Sequence, residues 1–251
     1  MLRSRWTKVV VFAVCLVPFA QLARRYYTGD LTPNPIEFIT HFTGDWAIRL
    51  VVATLSITPL RKLLRLPDLI RFRRMLGLFA FFYATLHFST WFGLDKFFDL
   101  HEILKDFVKR RFIIAGLAAF LAMLPLALTS TKGWIRRLGG RRWQLLHRLI
   151  YFTGIAAAVH YYWLVKSDIR LPALYGSLVA ILLAYRVGSW WSARRPAASA
   201  VRTERAELVS PRSCRKMRAR APRARRALPR AEGAAGARNP PVRQRTSRRA
   251  S

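Results

Sequence analysis

Apolar residues in this chain do not recur at helical or strand period along an otherwise polar background. They gather in blocks at roughly 9–22, 46–60, 75–92, 112–128, 141–163 and 171–191, separated by short polar or basic stretches. A bilayer's hydrocarbon core needs roughly 20 apolar residues from each crossing helix. The pattern therefore predicts an all-α integral membrane bundle of six transmembrane helices over residues 9–191. Residues 1–8 precede it and 192–251 follow it.

The first block has a charged start (Arg3, Arg5, Lys8) and a short apolar core, which fits a cleaved signal peptide. Pro18, Phe19 and Gln21 make a poor small-residue cleavage site, so a retained helix is expected. Residues 24–45 contain TGDLTPNPIE and read as a polar, turn-rich loop, with His41 exposed or at the interface. The stretches 61–74 and 132–142 are rich in Lys and Arg, whereas 24–45, 93–111 and 164–171 balance their basic residues with acids. Because Lys and Arg bias loops toward the cytoplasm, both chain ends are expected inside, with the third and fifth helices running from inside to outside.

Composition adds one contrast. The chain is 53% hydrophobic yet carries a formal net charge of +32, which no ordinary soluble globule combines. Much of that charge lies in 192–251, a stretch of Arg, Ala, Pro and Ser with few large apolar residues, expected to be a disordered cytoplasmic tail. Its arginines could meet nucleic acid or anionic lipid. It has no aromatic residue for stacking, so nucleic acid is not favoured. Cys15 and Cys214 form no motif for a disulfide framework or a metal cluster.

Histidines inside apolar blocks are the candidate chemistry, since ionisable groups there cost several kcal/mol unless they find partners. His87 lies about 12 residues, or about 18 Å, along the third helix counted from Met75. His160 lies about 15 residues along the fifth counted from Leu145 and His147 only about two, so His87 and His160 share the outer half. Each ring alone could merely bond a backbone carbonyl. As a depth-matched pair in parallel helices they meet the requirement for a six-coordinate b-type haem. His147 and His160 lie roughly 140° apart around an ideal helix, so either the helix bends near Gly154 or they serve different sites. Gly154 and residues 156–158 form a small-residue surface for a macrocycle or for another helix.

The segments RRMLGLFAFFYATLHF, LALTS, RRLGGRRWQLLHRLIYFTG and HYYW, in that order, make the chain resemble the MsrQ (formerly YedZ) family. These are haem-binding membrane subunits within the ferric-reductase-like transmembrane group, and the likeness spans roughly residues 5–192. It implies haem b and FMN as cofactors, a bacterial inner-membrane location, and His87, His147 and His160 as the family's histidines. It also implies a heterodimer with a periplasmic molybdopterin enzyme, MsrP-like, that reduces methionine sulfoxide in proteins. Electrons would come from quinol or a cytosolic flavin reductase. Wider members of the group hold two haems with two histidines on each of two helices. Here Arg73 or Arg74 occupies the place of the inner histidine on the third helix. That pair could hold a flavin phosphate or simply mark topology. The chain shows no Gly-rich dinucleotide fingerprint, so electron transfer to a partner is favoured over a self-sufficient ferric or cupric reductase. Membrane lipid is the remaining expected partner.

Overall fold

The computed structural model describes the backbone of residues 5–209 and the side chains of residues 5–192. Among these residues every regular element is helical. The α-helices are α1 (Arg5–Tyr27), α2 (Pro35–Leu63), α3 (Ile70–Ser89), α4 (Leu100–Lys109), α5 (Arg111–Leu128), α6 (Lys132–Leu146), α7 (Leu149–Leu164) and α8 (Arg170–Val209), with a 3-10 turn at Pro67–Leu69 and a π-helical turn at Thr90–Asp95 on either side of α3. Four stretches are long and apolar enough to cross a membrane, namely Arg5–Tyr27, Pro67–Asp95, Arg111–Leu128 and Arg170–Ser192. With the charged 29-residue α2 and the shorter apolar α7, they account for the six apolar blocks. By spatial clustering the chain divides into Met1–Arg195 and Pro196–Ser251. Most of the stretch expected to be a disordered tail, 210–251, lies outside the described residues.

The stretches read as loops are shorter than expected, for local reasons. Only residues 28–34 separate α1 from α2, because Asn34 caps the next helix. Its side chain accepts from the Glu37 N–H at 3.3 Å and donates to Glu37 Oε2 at 2.9 Å, with Pro35 in the first helical turn. His41 is therefore helical, although exposed as expected, 3.9 Å from Glu37 Oε1. The stretch 93–111 contains the amphipathic α4, capped by Asp99, whose Oδ1 accepts from the His101 N–H at 2.9 Å. Asp106 on its inner side is buried and meets Lys96 Nζ at 2.7 Å. That hydrogen bond raises the Lys96 pKa.

The basic stretch 132–142 is helical too. It is interrupted at Gly139, whose φ of 73° a side chain would oppose. The apolar segment 141–163 is divided at His147 and Arg148, where α6 hands over to α7. The Arg148 and Tyr151 N–H groups bond three residues back, to Leu145 and Arg148, which tightens the step. The break in this segment is thus toward its N-terminal end, at His147 and Arg148, and not near Gly154.

Two helix pairs make the frame: α2 runs along α3, and α5 along α7. Tyr83, Val51, Leu55 and Ala80 are buried at their centre. Tyr83 also fastens α1, donating to the Cys15 carbonyl at 2.8 Å and accepting from the Phe19 N–H at 3.0 Å. It stands where one rung of the α1 ladder would be, beside Pro18, which has no N–H. Large apolar side chains cover the outside, among them Val10, Val14, Ile181 and Val187, as lipid contact requires.

Candidate functional site

His87 comes from α3 and His160 from α7, one from each helix pair. Their ring centroids are 6.0 Å apart and their planes meet at 81°. His87 Nδ1 is 2.8 Å from the Thr40 carbonyl of α2, and His160 Nδ1 is 2.7 Å from the Phe112 carbonyl of α5. A carbonyl can only accept, so each Nδ1 carries the proton and each Nε2 keeps its lone pair. Both rings are thus locked through one nitrogen and offer the other, the usual arrangement of metal-binding imidazoles.

The two halves repeat one local device. In each, the carbonyl acceptor lies four residues before a glycine: Thr40 before Gly44, and Phe112 before Gly116. Residues four apart share one helix face, and each Cβ tilts toward the helix N-terminus. A ring reaching the first carbonyl must therefore pass over the Cβ position of the second residue. A Cβ at Gly44 would stand 3.0 Å from His87 Nδ1, and one at Gly116 only 2.6 Å from His160 Nδ1. Neither glycine was singled out in the sequence. The available signal is a glycine at histidine depth on the neighbouring helix, four residues after a possible acceptor.

Both histidines line one cavity of about 580 Å³, within the usual range for a cofactor site. Its wall is largely apolar, with Phe88, Phe120, Met123 and Ala157, and Glu37, His41, Asp45, Asp95 and Arg110 also line it. Thr153 Oγ1 is buried in this lining with no hydrogen-bond partner among the described residues. Metal–imidazole bonds are about 2 Å, which puts two rings on opposite sides of one iron with centroids roughly 6 Å apart. The observed spacing, the paired lone pairs and the amphipathic cavity fit a haem. No cluster of three or more His, Cys, Asp or Glu side chains suited to a bare ion occurs among the described residues.

His147 lies elsewhere, at the α6–α7 step. Its ring stacks on Trp143 at 3.9 Å, and its Nε2 is 3.3 Å from Thr129 Oγ1. That hydroxyl spends its proton on the Pro125 carbonyl at 2.6 Å, so His147 Nε2 must donate to it. Trp143 Nε1 donates to the Thr129 carbonyl at 2.9 Å, closing a small network. The charge of Arg73 reaches both His147 and Arg186 of α8. Arg186 bonds the Tyr151 hydroxyl and, at 2.5 Å, Thr58 Oγ1, tying α8 to α7 and α2. Arg74 is exposed.

Gly154 does not line the cavity. A Cβ there would meet Leu55 at 3.1 Å and Val179 at 3.6 Å, which makes it a helix-packing glycine. His101 sits on the exposed surface of α4.

The family described as ferric reductase like transmembrane component matches residues 43–158. The protein-methionine-sulfoxide reductase heme-binding subunit MsrQ of Herminiimonas arsenicoxydans is 51% identical over 189 residues, 74% of this chain and 87% of that protein. The subunits of the same name from Ralstonia nicotianae and Caulobacter vibrioides are 47% and 44% identical, over 74% and 75% of this chain and 86% and 88% of theirs. No solved structure matches. Long apolar helices, an apolar exterior and 47–51% identity over 74% of the chain lead to one conclusion: this chain is a multi-pass membrane protein of the MsrQ family, ferric-reductase-like heme-binding subunits of protein-methionine-sulfoxide reductase.

Proposed function

We propose that this protein is the membrane electron-transfer subunit of a methionine-sulfoxide reductase system, with His87 and His160 as the axial pair of one haem b. The observation that carries the reading is the pair itself: two imidazoles from two helix pairs, 6.0 Å apart in one cavity, each fixed through Nδ1. A bis-imidazole haem supplies reversible one-electron chemistry. The chain's own part is to bind it, hold both rings in place and exclude water with the Phe88 and Phe120 wall. Carbonyl acceptors on both Nδ1 atoms strengthen the ligands and keep the rings from turning.

Direction follows from placement. The cavity is lined in part by Leu94, Asp95, Phe97 and Arg110 of the stretch 93–111, which the basic-residue pattern assigns to the periplasm, with both chain ends at the cytoplasmic face of a bacterial inner membrane. Electrons then leave toward a periplasmic molybdopterin reductase of the MsrP kind, in a heterodimer. They arrive at the inner end from quinol or a cytosolic flavin reductase. At that end His147, Trp143, Arg73 and Arg186 form the surroundings of an entry cofactor, FMN, whose phosphate Arg73 would hold with a charge-assisted bond. Exposed Arg74 would serve it less.

Haem and flavin quantitation on purified full-length protein, with oxidised and reduced absorption spectra, tests this. The expected result is low-spin haem b in wild type that disappears in His87→Ala and in His160→Ala. A colourless wild-type preparation made with haem supplied would sink the reading.

A further inference from the structure

We infer that Gly44 and Gly116 are positioning residues, whose missing side chains hold the two imidazole planes nearly perpendicular and so give the iron a strongly anisotropic low-spin state. This rests on His87 and His160 being the axial pair.

Two observations carry it. Each ring is turned by its own helix pair, with the carbonyl of Thr40 or Phe112 fixing its direction and a glycine four residues later leaving room for it. Because the acceptors stand on different helices, nothing aligns the rings with one another, and their planes meet at 81°. Parallel imidazoles donate π density to the same iron d orbital and split the upper pair of that set. Perpendicular imidazoles act on one orbital each, so the pair stays nearly degenerate and orbital angular momentum persists. The signature is a single broad low-field EPR feature in place of three resolved ones.

The notches are unequal. A Cβ at position 116 would stand 2.6 Å from Nδ1 and 2.8 Å from Cε1 of His160. At position 44 the same two atoms of His87 would be 3.0 Å away. Ala at 116 must therefore turn or displace its ring, breaking the bond to Phe112, whereas Ala at 44 asks for a smaller adjustment.

EPR at liquid-helium temperature on the oxidised, haem-loaded full chain tests this. Wild type should give the broad low-field feature. Gly116→Ala should lose it, to a rhombic or high-spin spectrum, and Gly44→Ala should shift it toward lower anisotropy. Gly154→Ala, a helix-seam substitution, should leave it in place. If Gly116→Ala fails to insert, the wild-type line shape and Gly44→Ala still decide the matter. A rhombic wild-type spectrum, or a low-field feature untouched in both notch variants, overturns the inference while leaving the axial pair standing. Survival of low-spin haem in His87→Ala overturns the axial pair, and the notch role with it.

Discussion

His87 and His160 on one side, and His147 on the other, are the same side chain in opposite settings. His87 and His160 are bonded through Nδ1 to backbone carbonyls, so both Nε2 lone pairs remain available. His147 is bonded through Nε2 to a hydroxyl that has already spent its proton, so its tautomer is reversed. A glycine makes room for each ring of that pair, whereas an indole covers His147. The lesson is that an intramembrane histidine is read by which nitrogen its partner takes. Depth and residue type alone do not distinguish these two settings.

The contrast breaks most sharply under substitution of the histidines themselves. Losing His87 or His160 should abolish the low-spin signal, leaving five-coordinate iron or an empty site. His147→Ala should retain that signal and instead slow electron entry or reduce flavin content. Absorption and EPR spectra of the three variants decide it. A low-spin haem lost in His147→Ala and kept in His87→Ala would reverse the two roles.

Which end is outer can be made all-or-none. Lys132 and Ser167 are exposed and stand after α5 and α7 respectively. With native Cys15 and Cys214 replaced, Ser167→Cys should react with an impermeant thiol reagent added outside intact cells, and Lys132→Cys should be protected. The opposite pattern would invert the route of electrons through the molecule.

A smaller effect separates the two arginines. A hydrogen bond to a charged group contributes about 1.5–3 kcal/mol. Arg73→Gln should then weaken FMN retention by roughly tenfold or more. Arg74→Gln should change it little. Flavin fluorescence released from equal amounts of purified protein measures this, and equal losses in the two variants would remove Arg73 from the site.

The least effect is expected from deleting residues 210–251. Their Arg, Ala and Pro composition offers little apolar surface to pack against the helices. The haem spectrum should be unchanged in the truncated protein, and its loss would show that the segment supports the fold.

The sequence alone determined the six apolar blocks, their connection by basic and mixed-charge stretches, and the shared depth of His87 and His160. These follow from composition and rise per residue, which act locally along the chain. It also contained the capping signals at Asn34 and Asp99 that shorten the apparent loops. The division of 141–163 at His147 and Arg148 was less legible, because both residues keep right-handed helical angles and only the hydrogen-bond register tightens.

What only the tertiary structure decided was the pairing across helices. Thr40 and Phe112 act through their carbonyls, which every residue has, so no side-chain motif marks them. Gly44 and Gly116 matter because a particular ring from another helix arrives over them. Gly154, equally small, meets Leu55 and Val179 instead and closes a seam. Which nitrogen of each histidine is left free depends on these contacts, and they exist only once the helices pack.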